Sequence, residues 1–120
     1  MSRLRFPGAA RLVRSDEYAR VRAEGRSVHG GFMVLTVLQV AELEGSRVGF
    51  VTSRRVGGAV ERNRVRRRLR EIVRADRPNL QPGVWFTLVA RAAAAKASFA
   101  NLRDEWRHLA KAARLLLLDA

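Results

Sequence analysis

The sequence of 120 residues contains no cysteine, and its only lysines are Lys96 and Lys111. The lack of cysteine excludes disulfides, a thiolate nucleophile and cysteine-bound zinc. No apolar run approaches the roughly 20 residues of a membrane span, and the basic start, residues 1–8, lacks the apolar core of a signal peptide. We therefore expect a cytoplasmic protein without a membrane partner.

Its hydrophobic fraction of 48% suits one modest core, so we predict a single domain over residues 1–120, with residues 1–14 as a basic arm.

Acidic residues are also scarce. Lysine and arginine total 24 against 11 aspartates and glutamates, which gives a net charge of +13 and a pI near 11.8. Nearly all of the positive charge is arginine, whose planar fork binds phosphate in a way that lysine does not. Such a balance is typical of a protein that binds a polyanion, above all a nucleic acid.

The basic residues concentrate in a segment with helical spacing. Val65, Leu69, Ile72 and Val73 share one stripe of a helix that begins near Ala59. Arginines cover the remaining surface, at positions 62, 64, 66, 67, 68, 70 and 74. A merely solvated helix would mix acids with bases and gain paired charges, whereas the acids here are few. The helix therefore predicts a polyanion-binding surface.

The remaining pattern predicts helices around one sheet. Ser15 is expected to cap a short helix that ends at Gly25, and residues 32–40 and 47–52 are expected to form an antiparallel hairpin. A short extra strand is expected near Ser27, and residues 83–90 should form a central strand. Ser98 should cap a last helix. Its predicted core stripe is Phe99, Leu102, Trp106, Leu109, Ala113 and Leu116. Trp85 and Phe86 are also expected in the core.

Residues 53–58, Ser-Arg-Arg-Val-Gly-Gly, connect the second long strand to the basic helix. The glycines could let the backbone approach a phosphate at the helix N-terminus, or they could only form a tight turn. The residues leave both interpretations open.

Residues 49–71, GFVTSRRVGGAVERNRVRRRLRE, resemble the signature of the bacterial ribonuclease P protein component: a strand ending in Ser and two basic residues, then a Gly-Asn-Ala-Val type turn and Arg-Asn-Arg on a basic helix. Residues 11–18 and 89–91 are similar to the family's opening and last strand. The resemblance implies an α+β fold: a single-layer mixed sheet with packed helices in α-β-β-β-α-β-α order, ribosomal-protein-like, with a left-handed βαβ crossover. General rules alone would favour a right-handed one.

The resemblance also implies a function. Family members join a large catalytic RNA and assist endonucleolytic removal of the 5′ leader from precursor tRNA. The RNA and its Mg²⁺ perform the hydrolysis, so no catalytic residue and no protein-bound cofactor or metal is expected, and no DNA partner. The positions that match the family's contacts with the catalytic RNA are Arg54, Arg55, Arg62, Asn63, Arg64, Arg66, Arg67 and Arg70. Those that match its leader-binding cleft are Tyr18, Arg22, Val34 and Thr36.

The chain departs from the family pattern at Gly58, where asparagine is usual, and at Arg22 and Thr36, where aromatic residues are common. A cleft with fewer aromatic side chains should depend less on base stacking and more on phosphate contacts. Tyr18 itself could instead be a core residue.

Three other classes of protein share some of these features. A small ribosomal-type structural RNA-binding protein has the same composition but does not account for the Arg62-Asn63-Arg64 motif. A DNA-binding regulator would need a short helix and turn before the basic helix. A self-sufficient nuclease needs clustered carboxylates, and here the acids are dispersed. His29 and His108 likewise lack neighbours at the spacing of metal ligands.

Overall fold

The structure is a computed structural model, and it describes residues 11–12, 14–40 and 46–116. In chain order its main elements are α1 (Ser15–Glu24), β1 (Arg26–His29), β2 (Met33–Gln39), β3 (Arg47–Val51), α2 (Ala59–Asp76), β4 (Val84–Ala90) and α3 (Phe99–Ala112). Short 3₁₀ helices follow α2 at Arg77–Asn79 and β4 at Ala92–Lys96. The predicted α-β-β-β-α-β-α order is confirmed, including the short strand β1. The basic arm predicted for residues 1–14 lies largely outside the described residues.

The four strands form one mixed sheet in the order β1-β2-β4-β3. β4 pairs antiparallel with β2 and parallel with β3. The predicted hairpin between residues 32–40 and 47–52 is therefore wrong, because β4 lies between the two strands. A short gap permits a hairpin, but both strands gain more by flanking β4, in which Phe86 and Leu88 are fully buried.

The connection from β3 to β4 passes through α2, as a parallel pair requires. This arrangement contains the β-α-β unit that the family resemblance implies. The left hand of the crossover stays a prediction.

One face of the sheet, which we call the core face, packs against α2 and α3. Alternate strand residues supply it, among them Met33, Leu35, Phe86 and Leu88, all with no exposed surface. The predicted α2 stripe is confirmed: Val65, Leu69, Ile72 and Val73 are at most 3% exposed. The apolar stripe thus fixes the side of α2 that faces solvent.

The last helix begins as predicted, since the Asn101 backbone N–H donates to the Ser98 hydroxyl at 3.0 Å. Leu102, Trp106 and Leu109 are buried. Phe99 is 37% exposed, however, so its assignment to the core was wrong. Helical periodicity gives the direction of a side chain, but it does not show whether a neighbouring element covers it.

The helix α1 differs from expectation at its start. Ser15 is its first helical residue, and Arg14 occupies the N-cap position, where its backbone N–H donates to the Glu17 carboxylate at 3.0 Å. The predicted Ser15 cap is therefore wrong, because the acid three residues after Arg14 caps the helix instead. Gly25 ends α1 as expected, and its N–H donates to the Val21 carbonyl.

A single carboxylate ties α3 to the turn between β1 and β2. Glu105 accepts backbone N–H groups from Gly31, Phe32 and Met33 at 2.8–2.9 Å. A side chain at Gly30 would overlap this carboxylate. The contact fixes the end of β2 relative to the helix layer.

Candidate nucleic-acid interface

The turn between β3 and α2 presents two arginines. Val56 is 4% exposed and anchors the turn in the core, while Arg54 and Arg55 are exposed. Backbone N–H groups of Val56 and Gly57 donate to the carbonyls of Ser53 and Arg54 at 3.1 Å. A buried valine inside a hydrogen-bonded turn therefore directs the neighbouring guanidinium groups into solvent.

The glycines after this turn serve a tight connection. Gly57 has a φ of 145°, which L side chains rarely adopt. The Gly58 backbone N–H donates to the Glu61 carboxylate at 3.0 Å. An acid of α2 itself thus binds the N–H of the N-cap residue, which favours the tight-turn interpretation of Gly57 and Gly58.

Two arginines of α2 are turned inward. Arg64 donates to the Ala95 carbonyl at 3.4 Å, and Arg68 donates to the Ala97 carbonyl at 3.2 Å. Both carbonyls belong to the segment between β4 and α3, so these side chains join α2 to that segment. The arrangement limits their availability to a ligand.

Arg66 lies on the opposite flank of α2, at the β3 end of the sheet. Its guanidinium donates to the Thr52 hydroxyl at 2.6 Å and to the Asn63 side-chain carbonyl at 3.3 Å. Asn63 and Arg66 both belong to the predicted RNA-binding set. The structure brings them together.

Three further arginines of the predicted set have no internal side-chain hydrogen bond among the described residues. They are Arg62, Arg67 and Arg70; Arg67 is exposed, and the other two are half-buried. With Arg54 and Arg55 they form the outward basic surface, which is the part of the predicted site able to meet phosphates without breaking internal contacts.

The second face of the sheet, which we call the open face, is only partly covered. The strand register places Val34, Val89 and Val51 side by side across β2, β4 and β3, and all three are half-buried. We call these three residues the valine row. His29 of β1 pairs with Val34 and extends the row to the sheet edge, where it is exposed. The result is an apolar strip beside α1.

The helix α1 crosses the open face next to this strip. Its Tyr18 ring lies against Gly49 of β3, where any side chain would overlap the ring. At its other end Gly25 packs closely on Thr36 of β2. Val21 between them has no exposed surface. α1 therefore forms one wall of a groove whose floor is the valine row.

Tyr18 lies at the β3 end of this groove and is half-buried. Its hydroxyl donates to the Leu12 carbonyl at 3.2 Å. Burial raises the pKa of the Tyr18 phenol, and the neighbouring Glu17 carboxylate adds to the increase, while Arg66 opposes it. The groove and the basic helix meet at this end, because Arg66 donates to the hydroxyl of Thr52, which directly follows Val51 of the valine row.

The other predicted cleft residues fall in different surroundings. Arg22 is exposed one turn after Tyr18, and Val34 belongs to the valine row. Thr36 lies on the open face but is only 8% exposed, since it sits beneath the end of α1 and shares a 2.7 Å hydrogen bond with Ser27. Thr36 therefore supports α1 and has little surface left for a ligand.

The groove opens toward the turn between β3 and α2, which carries Arg54 and Arg55. A cavity of about 640 Å³ lies where β3 and β4 end, and Ser53, Arg55, Val89 and Arg91 are among its lining residues. Val51, Val89 and Arg91 were not among the predicted site residues. Alternation along β3 and β4 could have placed both valines on the face of Val34, had the pairing with β4 been known.

Trp85 also differs from expectation. It is half-buried on the open face, outside the buried core cluster. The guanidinium groups of Arg20 and Arg47 lie 5.6 and 5.4 Å from its ring centroid. Phe86 and Trp106 are fully buried as predicted, with ring centroids 5.8 Å apart.

Metal-binding and membrane-spanning features are absent from the described residues. No group of three or more histidines, aspartates and glutamates there is placed to hold a metal ion. Within the same residues no helix has the length and apolar character to cross a membrane.

The fold and the basic helix define the class: a small α+β protein with an arginine surface beside an open sheet groove, suited to RNA. The model of the family "Ribonuclease P" matches residues 6–114. The chain is 44% identical over 109 residues to the ribonuclease P protein component of Chloroflexus aurantiacus, covering 90% of this chain and 80% of that one. It is 42% identical over 106 residues to that of Dehalococcoides mccartyi, covering 88% and 86%.

A solved structure has the same fold. The ribonuclease P protein of Staphylococcus aureus aligns with a TM-score of 0.83 at 23% identity, covering 90% of this chain and 98% of that one. The chain belongs to the ribonuclease P protein family. The alternative of a small ribosomal-type structural protein is not favoured.

Proposed function

We propose that this chain acts as the protein subunit of a ribonucleoprotein in which a catalytic RNA and its Mg²⁺ cleave precursor tRNA. The protein binds the RNA through its outward basic surface and supplies no catalytic residue, cofactor or metal site. Family membership and the exposed arginines of α2 and its preceding turn are the observations that support this proposal. The complex acts in the cytoplasm, on precursor tRNA and not on DNA.

The described carboxylates support a non-catalytic role because several already have structural partners. Asp76 accepts from the Trp106 indole N–H at 2.8 Å. Glu105 holds three backbone N–H groups, and Glu61 caps α2. Glu61 and Asp76 lie at opposite ends of α2, and Glu105 lies on α3, which is unlike the clustered carboxylates of two-metal phosphodiester chemistry.

The groove along α1 is the proposed site of the 5′ leader. A single strand can lie on the valine row, with a base against Tyr18 and its phosphates near Arg22 and Arg66. Aromatic stacking accepts any base sequence, as does an apolar floor. The groove ends beside the turn that carries Arg54 and Arg55. A single RNA strand can therefore pass from the leader site to the surface that binds the catalytic RNA.

Reconstitution tests the proposal. Rigorously RNA-free protein should not cleave precursor tRNA, whereas protein added to the catalytic RNA should raise cleavage most at low salt and low Mg²⁺, since the charge of +13 offsets phosphate repulsion. Correct-site cleavage by the RNA-free protein would contradict the proposal.

A second experiment addresses the groove. Tyr18→Ala holoenzyme should lose affinity for precursor tRNA with a leader of several nucleotides by about fivefold or more. Its affinity for a substrate with a one-nucleotide leader, and for the catalytic RNA, should be unchanged. Equal losses for both substrates together with a large fall in Tm would mean that Tyr18 only packs the fold.

A further inference from the structure

Helix α1 has few apolar contacts with the sheet that it crosses. Val21 is its only fully buried residue, and its sequence, SDEYARVRAE, is mostly polar. A helix of ten residues is not stable by itself in water. Its position must therefore depend on specific contacts in addition to apolar burial.

A stacked arrangement around Trp85 supplies such contacts. Arg20 of α1 and Arg47 of β3 both lie over the Trp85 ring, at 5.6 and 5.4 Å from its centroid. Arg47 pairs with the Glu17 carboxylate of α1 at 3.2 Å, and Arg20 pairs with Glu24 at 3.5 Å. Trp85 and Arg47 are also direct register partners on adjacent strands. One indole thus lies at the centre of the contacts between α1 and the sheet.

The contact depends on the ring face rather than on the indole N–H. The Trp85 Nε1 atom is buried and has no hydrogen-bond partner within the part of the chain that the structure describes. Trp106, the other tryptophan, instead uses its N–H to bind Asp76 on the core face. The ring face attracts guanidinium groups through its negative quadrupole.

The contact of Arg20 with Trp85 lies on the flank of α1 opposite the groove. At about 100° per residue, Glu17, Arg20 and Glu24 share one side of α1, while Tyr18 and Arg22 share a side that is turned well away from Arg20. A substrate in the groove would therefore meet Tyr18 and Arg22 without touching Trp85. Any effect of Trp85 on that substrate must pass through the position of α1.

We infer that Trp85, whose ring contacts Arg20 and Arg47, is a positioning residue that sets α1, and through it Tyr18 and Arg22, for binding of the precursor tRNA leader. The inference rests on the proposed leader groove. Trp85 would affect leader binding from the flank of α1 opposite the groove, without lining the groove itself.

The experiment compares holoenzymes made with Trp85→Leu, Trp85→Phe and Trp106→Phe. The measured quantity is the ratio of affinities for precursor tRNA with a leader of about eight nucleotides and for the same tRNA with a one-nucleotide leader. Trp85→Leu should lower this ratio about threefold to fivefold, which is the scale of a partly exposed cation–π contact. Trp85→Phe, which keeps an aromatic face, should restore most of it.

Trp106→Phe is the matched control because it perturbs the other tryptophan, on the core face. It should lower Tm and leave the ratio unchanged. The double variant Arg20→Met/Trp85→Leu should lose no more than Trp85→Leu alone, since both changes remove the same contact. Binding of the catalytic RNA should be the same in every variant.

Two outcomes would overturn the inference. The first is an unchanged ratio in Trp85→Leu while Tyr18→Ala lowers it, which would leave the groove in place and remove the positioning role. The second is a fall in affinity for both leaders that parallels Tm, as for a purely structural residue. If Tyr18→Ala also leaves the ratio unchanged, the groove assignment itself fails, and the inference fails with it.

Discussion

Five of the seven arginines of α2 form two sets, and replacing each set should have a different effect. Arg62, Arg67 and Arg70 donate no side-chain hydrogen bond to a described residue. Arg64 and Arg68 donate to the carbonyls of Ala95 and Ala97. We predict that replacing the first set with alanine weakens RNA binding, whereas replacing the second set mainly destabilises the domain.

The size of the first effect follows from counterion release. Each lost phosphate contact lowers the slope of log affinity against log salt by about 0.7–0.9. Three lost contacts lower it by roughly 2–3 units, so over a fourfold rise in salt the wild type should lose roughly 20- to 40-fold more affinity than the variant. Tm should change little, because these side chains lie outside the buried stripe of α2.

The second effect is one of stability. Two part-buried hydrogen bonds from charged donors contribute about 1–2 kcal/mol together, so Arg64→Ala/Arg68→Ala should lower Tm by roughly 4–10 °C. Its salt slope should stay closer to that of the wild type.

Filter binding to the catalytic RNA between about 50 and 200 mM salt, with thermal melting of each free protein, measures both effects. The reasoning is refuted if the Arg62/Arg67/Arg70 variant keeps the wild-type slope. It is also refuted if the Arg64/Arg68 variant flattens the slope equally without a loss of Tm.

Three further predictions concern the fold and Tyr18. The chain has one tyrosine, so phenolate absorbance should report Tyr18 alone and show a midpoint above the usual 10.0 in folded protein. Because the folded pKa of Tyr18 is raised, the stability that its neutral phenol contributes is complete below pH 10 and is lost as the pH rises through the folded pKa. Tyr18→Phe should remove this loss of stability at high pH. Leu69→Asp should reduce the free energy of unfolding by about 4 kcal/mol or more, since it buries an unpaired charge, while Arg67→Asp at an exposed position should leave circular dichroism unchanged. Glu105→Gln should cost about 2 kcal/mol in urea unfolding, because three backbone N–H groups lose a charged acceptor; a loss below about 0.5 kcal/mol would show that water replaces the carboxylate.

Local patterns predicted the helices well. The spacing of Val65, Leu69, Ile72 and Val73 predicts which side of α2 is apolar, and Ser98 predicts where α3 begins. Each is a property of neighbouring residues in one helix. Sequence periodicity is sufficient for such features because a single element determines them.

Features that depend on strand pairing could not be predicted in the same way. The insertion of β4 between β2 and β3 is a long-range choice, and it decides which residues join Val34 on the open face. The inward course of Arg64 and Arg68 depends on carbonyls about 30 residues away. Trp85 looked like a core residue because its strand is apolar, and only the register beside Arg47 reveals its partners.

The place of β4 in the sheet has a consequence for the order of folding. β4 is the last strand among the described residues, yet it is hydrogen-bonded to both β2 and β3. During synthesis β3 can contact Arg11 and Leu12, which precede it, but its ladder with β4 can form only after residue 90 has left the ribosome. Contacts so distant in sequence slow folding, so a nascent chain that is already rich in arginine remains open for most of its synthesis.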